Sequence, residues 1–155
     1  MNTDPLGFDD FDPNEVDTSR PLLPAGDVQM QVKAISVVDS KNNATNKNLM
    51  VVFATTEPVH TPDDKVINPG FQLTKYYPLQ QSSNEKAPDY RVDLTRLIDG
   101  VLGTSAGARP RLSDAIPLMI GRNVMVSVTV RKPKPGSSEE QYGDSNEIKK
   151  ISPIS

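Results

Sequence analysis

Residues 121–134 read GRNVMVSVTVRKPK. Val124, Val126, Val128 and Val130 fall on one face of an extended chain, and Met125, Ser127, Thr129 and Arg131 on the other. Alternation in steps of two, carried by β-branched side chains, predicts a strand with one buried face. Pro133 and Pro135 end it, because a proline cannot donate to a central ladder. Arg131, Lys132 and Lys134 therefore gather where the strand stops. The next segment, GSSEEQYGDSN, predicts a long loop, and residues 147–153 a return strand. The rest of the chain is expected to form the barrel or sandwich that this hairpin closes.

Upstream, LLPAGD at 22–27 predicts a turn into a first strand, in which Val28, Met30, Val32 and Ala34 alternate with polar residues. Ile35, Val37 and Val38 break that phase, as a β-bulge or a barrel bend would. A polar loop, 39–48, carries Lys41 and Lys47. LMVVFATT at 49–56 is apolar on both faces and predicts a central strand. An irregular connection is expected over 57–70, which holds three prolines and the single histidine, His60. FQLTKYYPL at 71–79 predicts a third strand. Leu94, Leu97, Ile98, Val101 and Leu102 form one helical stripe, with Asp89 as its expected N-cap and Gly103 as its stop. A further helical turn capped by Ser113 is expected over 113–120.

The chain of 155 residues predicts one body with a tail. Residues 1–27 carry seven acids and one base, whereas the remainder carries 16 bases and 13 acids. The net charge of −3 thus hides an acidic tail on a mildly basic body. Residues 1–24, rich in proline and acids, are expected to be disordered, with the folded domain spanning 25–155. Phe8, Asp9, Asp10 and Phe11 stand there either as part of a solvated tail or as an acidic-aromatic hook for a partner. The absence of cysteine removes thiolate chemistry and suits a reducing compartment. No apolar run is long enough to span a bilayer, so a soluble, cytoplasmic protein is expected.

Catalysis and cofactors are not expected. One histidine and no cysteine leave little nucleophile–base machinery, and no metal-ligand spacing appears. The GTSAG at 103–107 lacks the Gly-Lys-Ser/Thr ending of a phosphate loop.

The element order, three strands, a helix and two strands, is that of the OB-fold, a small five-stranded Greek-key barrel with its helix between strands three and four. Together with the LPAG turn, the IGRNVMVSV run and the terminal NEIKKISP, it resembles small bacteriophage single-stranded-DNA-binding proteins over residues 22–154. Familiar single-strand binders of this fold carry their acidic tail at the carboxyl end; here it is at the amino end. The resemblance implies non-sequence-specific binding of single-stranded DNA in phage replication or recombination, in the host cytoplasm, with replication proteins as partners of the tail and a homo-oligomer compatible with it.

Such binding needs cations for phosphates and aromatic faces for bases. An OB groove lies over strands two and three, flanked by the loops after strands one and four. The residues expected to line it are Lys41, Lys47, Phe53, Lys75, Tyr76, Tyr77, Arg131, Lys132 and Lys134. Tyr76 is the better stacking candidate, since Tyr77 shares a face with Leu73 and reads more as core than as platform. The alternative function is a protein-interaction or virion-accessory β-domain acting through its tail.

Overall fold

The computed structural model describes residues 12–15, 22–40, 45–83, 85–132, 135–136 and 144–154. It is mainly β. Five strands, β1 (Gly26–Asp39), β2 (Lys47–Thr55), β5 (Gln72–Pro78), β6 (Asn123–Arg131) and β7 (Ser145–Pro153), form one antiparallel sheet in the order β5-β2-β1-β6-β7. Two helices, α1 (Tyr90–Leu102) and α2 (Leu112–Met119), lie between β5 and β6.

The valine stretch follows its alternation as far as Val128, while Val130, near the end of the strand, is exposed. Val124, Val126 and Val128 are buried on the core side of β6, and Met30, Val32, Val51 and Phe53 meet them from β1 and β2. Strand β1 is long because it serves two partners in turn. Residues 26–31 pair with β6, and most of the strand pairs with β2. The register to β2 shifts between Val32 and Ala34, just before Ile35 breaks the apolar phase in the sequence. Gln29 accepts from Thr56 on the β2 side, and Val32 donates to Arg122 at 2.9 Å on the β6 side. Beyond the bulge the parity reverses.

Helix α1 closes one end of the core with Leu94, Leu97, Ile98 and Val101. Asp89 accepts from the Arg91 amide at 3.0 Å as its N-cap, and Gly103, at φ 71°, turns the chain out in the left-handed region. Gly100 faces β7 so closely that a Cβ would lie 2.5 Å from the Ile151 carbonyl oxygen. Helix and strand therefore touch backbone to backbone.

Several expectations are corrected. The 57–70 connection contains a two-stranded hairpin, β3 (Val59–His60) and β4 (Val66–Ile67). Its turn is held by Thr61, which bonds Asp63 and Lys65, with Asp64 at φ 61°. Helix α2 is a full element whose N-cap position is Arg111, so Ser113 is not its cap. Leu23 is completely buried, and its amide and carbonyl are both clamped by the Asn146 side chain at 2.8 Å. Leu23 thus packs into the core of the body. Barrel closure is not found: among the described residues no ladder joins β5 to β7. The two edges do face one another, because Lys75 Nζ of β5 donates to the Ile148 carbonyl of β7 at 3.3 Å.

Candidate nucleic-acid interface

Antiparallel pairing of β5 with β2 sorts the expected residues onto two faces. On the core side, Tyr77 opposes Leu49, Lys75 opposes Val51 and Leu73 opposes Phe53. On the outer side, Tyr76 opposes Met50 and Thr74 opposes Val52. Ser36 and Ala34 of β1 continue these two rows. Tyr76 is 52% exposed, so its ring stands open to solvent on a strip of small, thioether and aliphatic side chains.

Phe53 is 0% exposed and Tyr77 nearly so. Both rings belong to the core rather than to the exposed outer face. Burial, followed by the charge of Asp93, pushes the Tyr77 hydroxyl well above its ordinary value. Lys75 is likewise displaced from the expected site. Its ammonium is spent on the Ile148 carbonyl and on the Tyr77 ring, 5.3 Å from the centroid. As the residue next to Tyr76 in a strand, it points to the other side of the sheet.

The remaining cations flank the outer strip. Lys47 begins β2, pairs with Asp39, and accepts through its carbonyl from the Leu79 amide at 3.0 Å, at the far end of β5. Arg131 ends β6 opposite Ser145 of β7. Ser145 and Asn146 share a cleft of about 370 Å³ with Gln72, Leu73 and Thr74, at the near end of β5. Tyr76 therefore lies between the Lys47 end and the Arg131 end of the same strand. Arg131 and Lys132 are exposed and form no ion pair among the described residues. Lys41, Lys134 and the tail residues Phe8, Asp9, Asp10 and Phe11 lie outside the described residues.

Met50 and Val52 escaped the sequence-based assignment because β2 reads as apolar on both faces. A second gathering was also missed. A cleft of about 590 Å³ between β5, α1 and β7 brings Lys75, Arg96, Lys149 and Lys150 together with Asp93 and Asp99. Residues 149 and 150 crowd there because the β6–β7 register slips between Ser127 and Val128. Much of this charge is internally matched: Arg109 forks onto Asp99 at 2.8–3.2 Å and holds its carboxyl below the usual range, with Thr104 assisting. The 103–107 loop is thus tied to a carboxylate.

Among the described residues no cluster of His, Cys, Asp or Glu could hold a metal ion, and no helix is long and apolar enough to cross a membrane. No protein-family model matches the chain, and no curated protein is found to match it.

Proposed function

We propose that this chain is a non-sequence-specific single-stranded-DNA-binding protein built on an incompletely closed OB-type barrel. The carrying observation is the open Tyr76 ring beside Met50 on the outer face of β2–β5, with Lys47 at one end and Arg131 and Lys132 toward the other. The sheet order supports the barrel reading: it is the OB order, with the two edges turned toward each other at Lys75 and Ile148.

The chemistry is physical rather than covalent. An unpaired base presents a flat π-face, and stacking on an aromatic ring contributes about 1–3 kcal/mol per base in any sequence. Duplex DNA has its bases already stacked and cannot use Tyr76 without opening. Basic side chains at the two ends neutralise phosphates and release counter-ions, which makes affinity fall with salt. Met50 and Val52 widen the apolar floor on which a second base rests. The chain would coat strands exposed during phage replication or recombination in the host cytoplasm, leaving catalysis to others.

Titration of a fluorescent oligo-dT with the full chain at two salt concentrations tests this. A tight complex whose log affinity falls by about 0.7 per log unit of salt for each phosphate neutralised is expected. Equal affinity for duplex of the same length, or no complex at low salt, would leave the alternative of an interaction domain.

A further inference from the structure

We infer that the cleft between β5, α1 and β7 is a binding site for a short oligophosphate, on the side of the sheet away from the Tyr76 strip.

The strand and the helix gather positive charge there. On β7 the ladder sets Ile148 against Val128 and Lys150 against Ser127, which leaves Lys149 as an extra residue. In a regular strand two consecutive side chains point to opposite faces. A bulge re-aims one of them, and here Lys149 and Lys150 both line the cleft. Arg96 joins them from α1 and Lys75 from β5. The backbone contact at Gly100 holds the helix against the strand, so the two walls meet at a fixed distance. The nearby carboxylates do not cancel this charge. Asp99 is taken by Arg109 at 2.8 Å. Asp93 and Glu147 stand 3.8 Å from Arg96 and Lys149, with all four side chains about half exposed or more, where such pairs contribute about 0–1 kcal/mol. Lys150 forms no ion pair among the described residues. Lys75 gives an N–H to the Ile148 carbonyl and keeps its charge.

The donors fit a compact polyanion. The side chains of Lys75, Arg96, Lys149 and Lys150 donate only. The Tyr77 hydroxyl lines the same cleft and bonds no described residue, and burial keeps its proton on, so it too is a donor. A single carboxylate would meet one or two of these groups. A short oligophosphate carries several charges and many acceptor oxygens in one small volume. The cleft, about 590 Å³, is of the size that small-molecule sites have. Its apolar wall, Leu97, Ile151 and Pro153, concentrates the field of the cations on such an ion. The same chemistry comes from a free oligophosphate or from the phosphate tail of a nucleotide. Neither source needs Tyr76 to stack a base, so this site stands or falls apart from DNA binding.

Calorimetric titration of the full chain with tripolyphosphate at fixed ionic strength should show one saturable site. Lys149→Gln with Lys150→Gln should weaken it by about tenfold or more, through the loss of two charge-assisted contacts. The same variant should keep its affinity for oligo-dT within about twofold. Arg96→Gln should weaken tripolyphosphate in the same direction, whereas Arg131→Gln with Lys132→Gln, at the end of β6, should leave it unchanged. Thymidine triphosphate separates the two sources. Tighter binding than tripolyphosphate assigns the apolar wall to a nucleoside, and equal or weaker binding assigns the site to the phosphates alone. No saturation, sulfate binding as tightly as tripolyphosphate, or displacement of tripolyphosphate by oligo-dT would overturn the inference. Should the double lysine variant misfold, Arg96→Gln and the amide shifts of Lys149 and Lys150 on adding tripolyphosphate to the unmodified chain still decide it.

Discussion

Lys75 and Tyr76 are consecutive in β5 and serve opposite sides of the sheet. The Lys75 ammonium spans the gap to β7, 3.3 Å from the Ile148 carbonyl, while the Tyr76 ring stands exposed opposite Met50. One strand thus stitches the seam with one face and presents an exposed aromatic ring with the other. Stability and binding should separate cleanly when these two residues are changed.

Tyr76→Ala should lower affinity for oligo-dT by roughly 5- to 150-fold, the loss of about 1–3 kcal/mol for one stacked base. The melting temperature should barely move, because the ring is half in solvent. Tyr76→Phe should retain most of the affinity. Titration and thermal melting of the three proteins check this.

Lys75→Met should do the reverse. The seam loses a bridge between β5 and β7 and the Tyr77 ring loses its cation, so the midpoint in denaturant should fall. Affinity per folded molecule for oligo-dT should stay within about twofold, since the Tyr76 stacking surface is untouched.

Arg131→Ala with Lys132→Ala should weaken binding to all sequences alike. The slope of log affinity against log salt should flatten by about 0.7 for each phosphate that is no longer neutralised. An unchanged slope would remove the end of β6 from the interface.

Gly100→Ala should destabilise the fold without touching the outer strip. The added methyl meets the Ile151 backbone oxygen at 2.5 Å, where neither helix nor strand can turn aside. Overpacking of this kind costs about 1–3 kcal/mol. Denaturant unfolding of the variant reads it directly.

Asp89 gives the α1 terminus an acid sensitivity. Hydrogen bonds from the Arg91 side chain and amide hold its carboxyl down to about 2. A depressed folded-state value means that its contribution is present above the unfolded carboxylate range and is lost as pH falls toward 2. The difference in denaturation midpoint between the parent chain and Asp89→Ala should therefore be full near neutral pH and shrink on acidification. A gap that stays constant as the carboxyl is protonated would contradict the role of the ionised cap.

Much of this fold is legible in the sequence because alternation and helical spacing are local. The valine register of β6 up to Val128, the α1 stripe with Asp89 and Gly103, and the phase break after Ala34, beside the bulge at 32–34, have their counterparts in the structure. What escaped is set by residues distant in the chain. Leu23 looks like part of a proline-rich tail until Asn146 clamps it. The β3–β4 hairpin has two-residue strands, too short to show a period. The open seam depends on how far the sheet curls, which no local pattern records. In the site, Tyr76 followed from alternation, and the same rule excludes Lys75 from its face. Phe53 was legible only as apolar, because a strand apolar on both faces does not say which side is the core.

The most direct test is amide chemical-shift mapping on the full chain as oligo-dT is added. If the outer face of β2–β5 receives single strands, the largest shifts should cluster at Met50, Val52, Thr74 and Tyr76 and spread to Lys47, Arg131 and Lys132. Shifts confined to Arg96, Lys149 and Lys150 around the β5–α1–β7 cleft, with Tyr76 silent, would contradict the account.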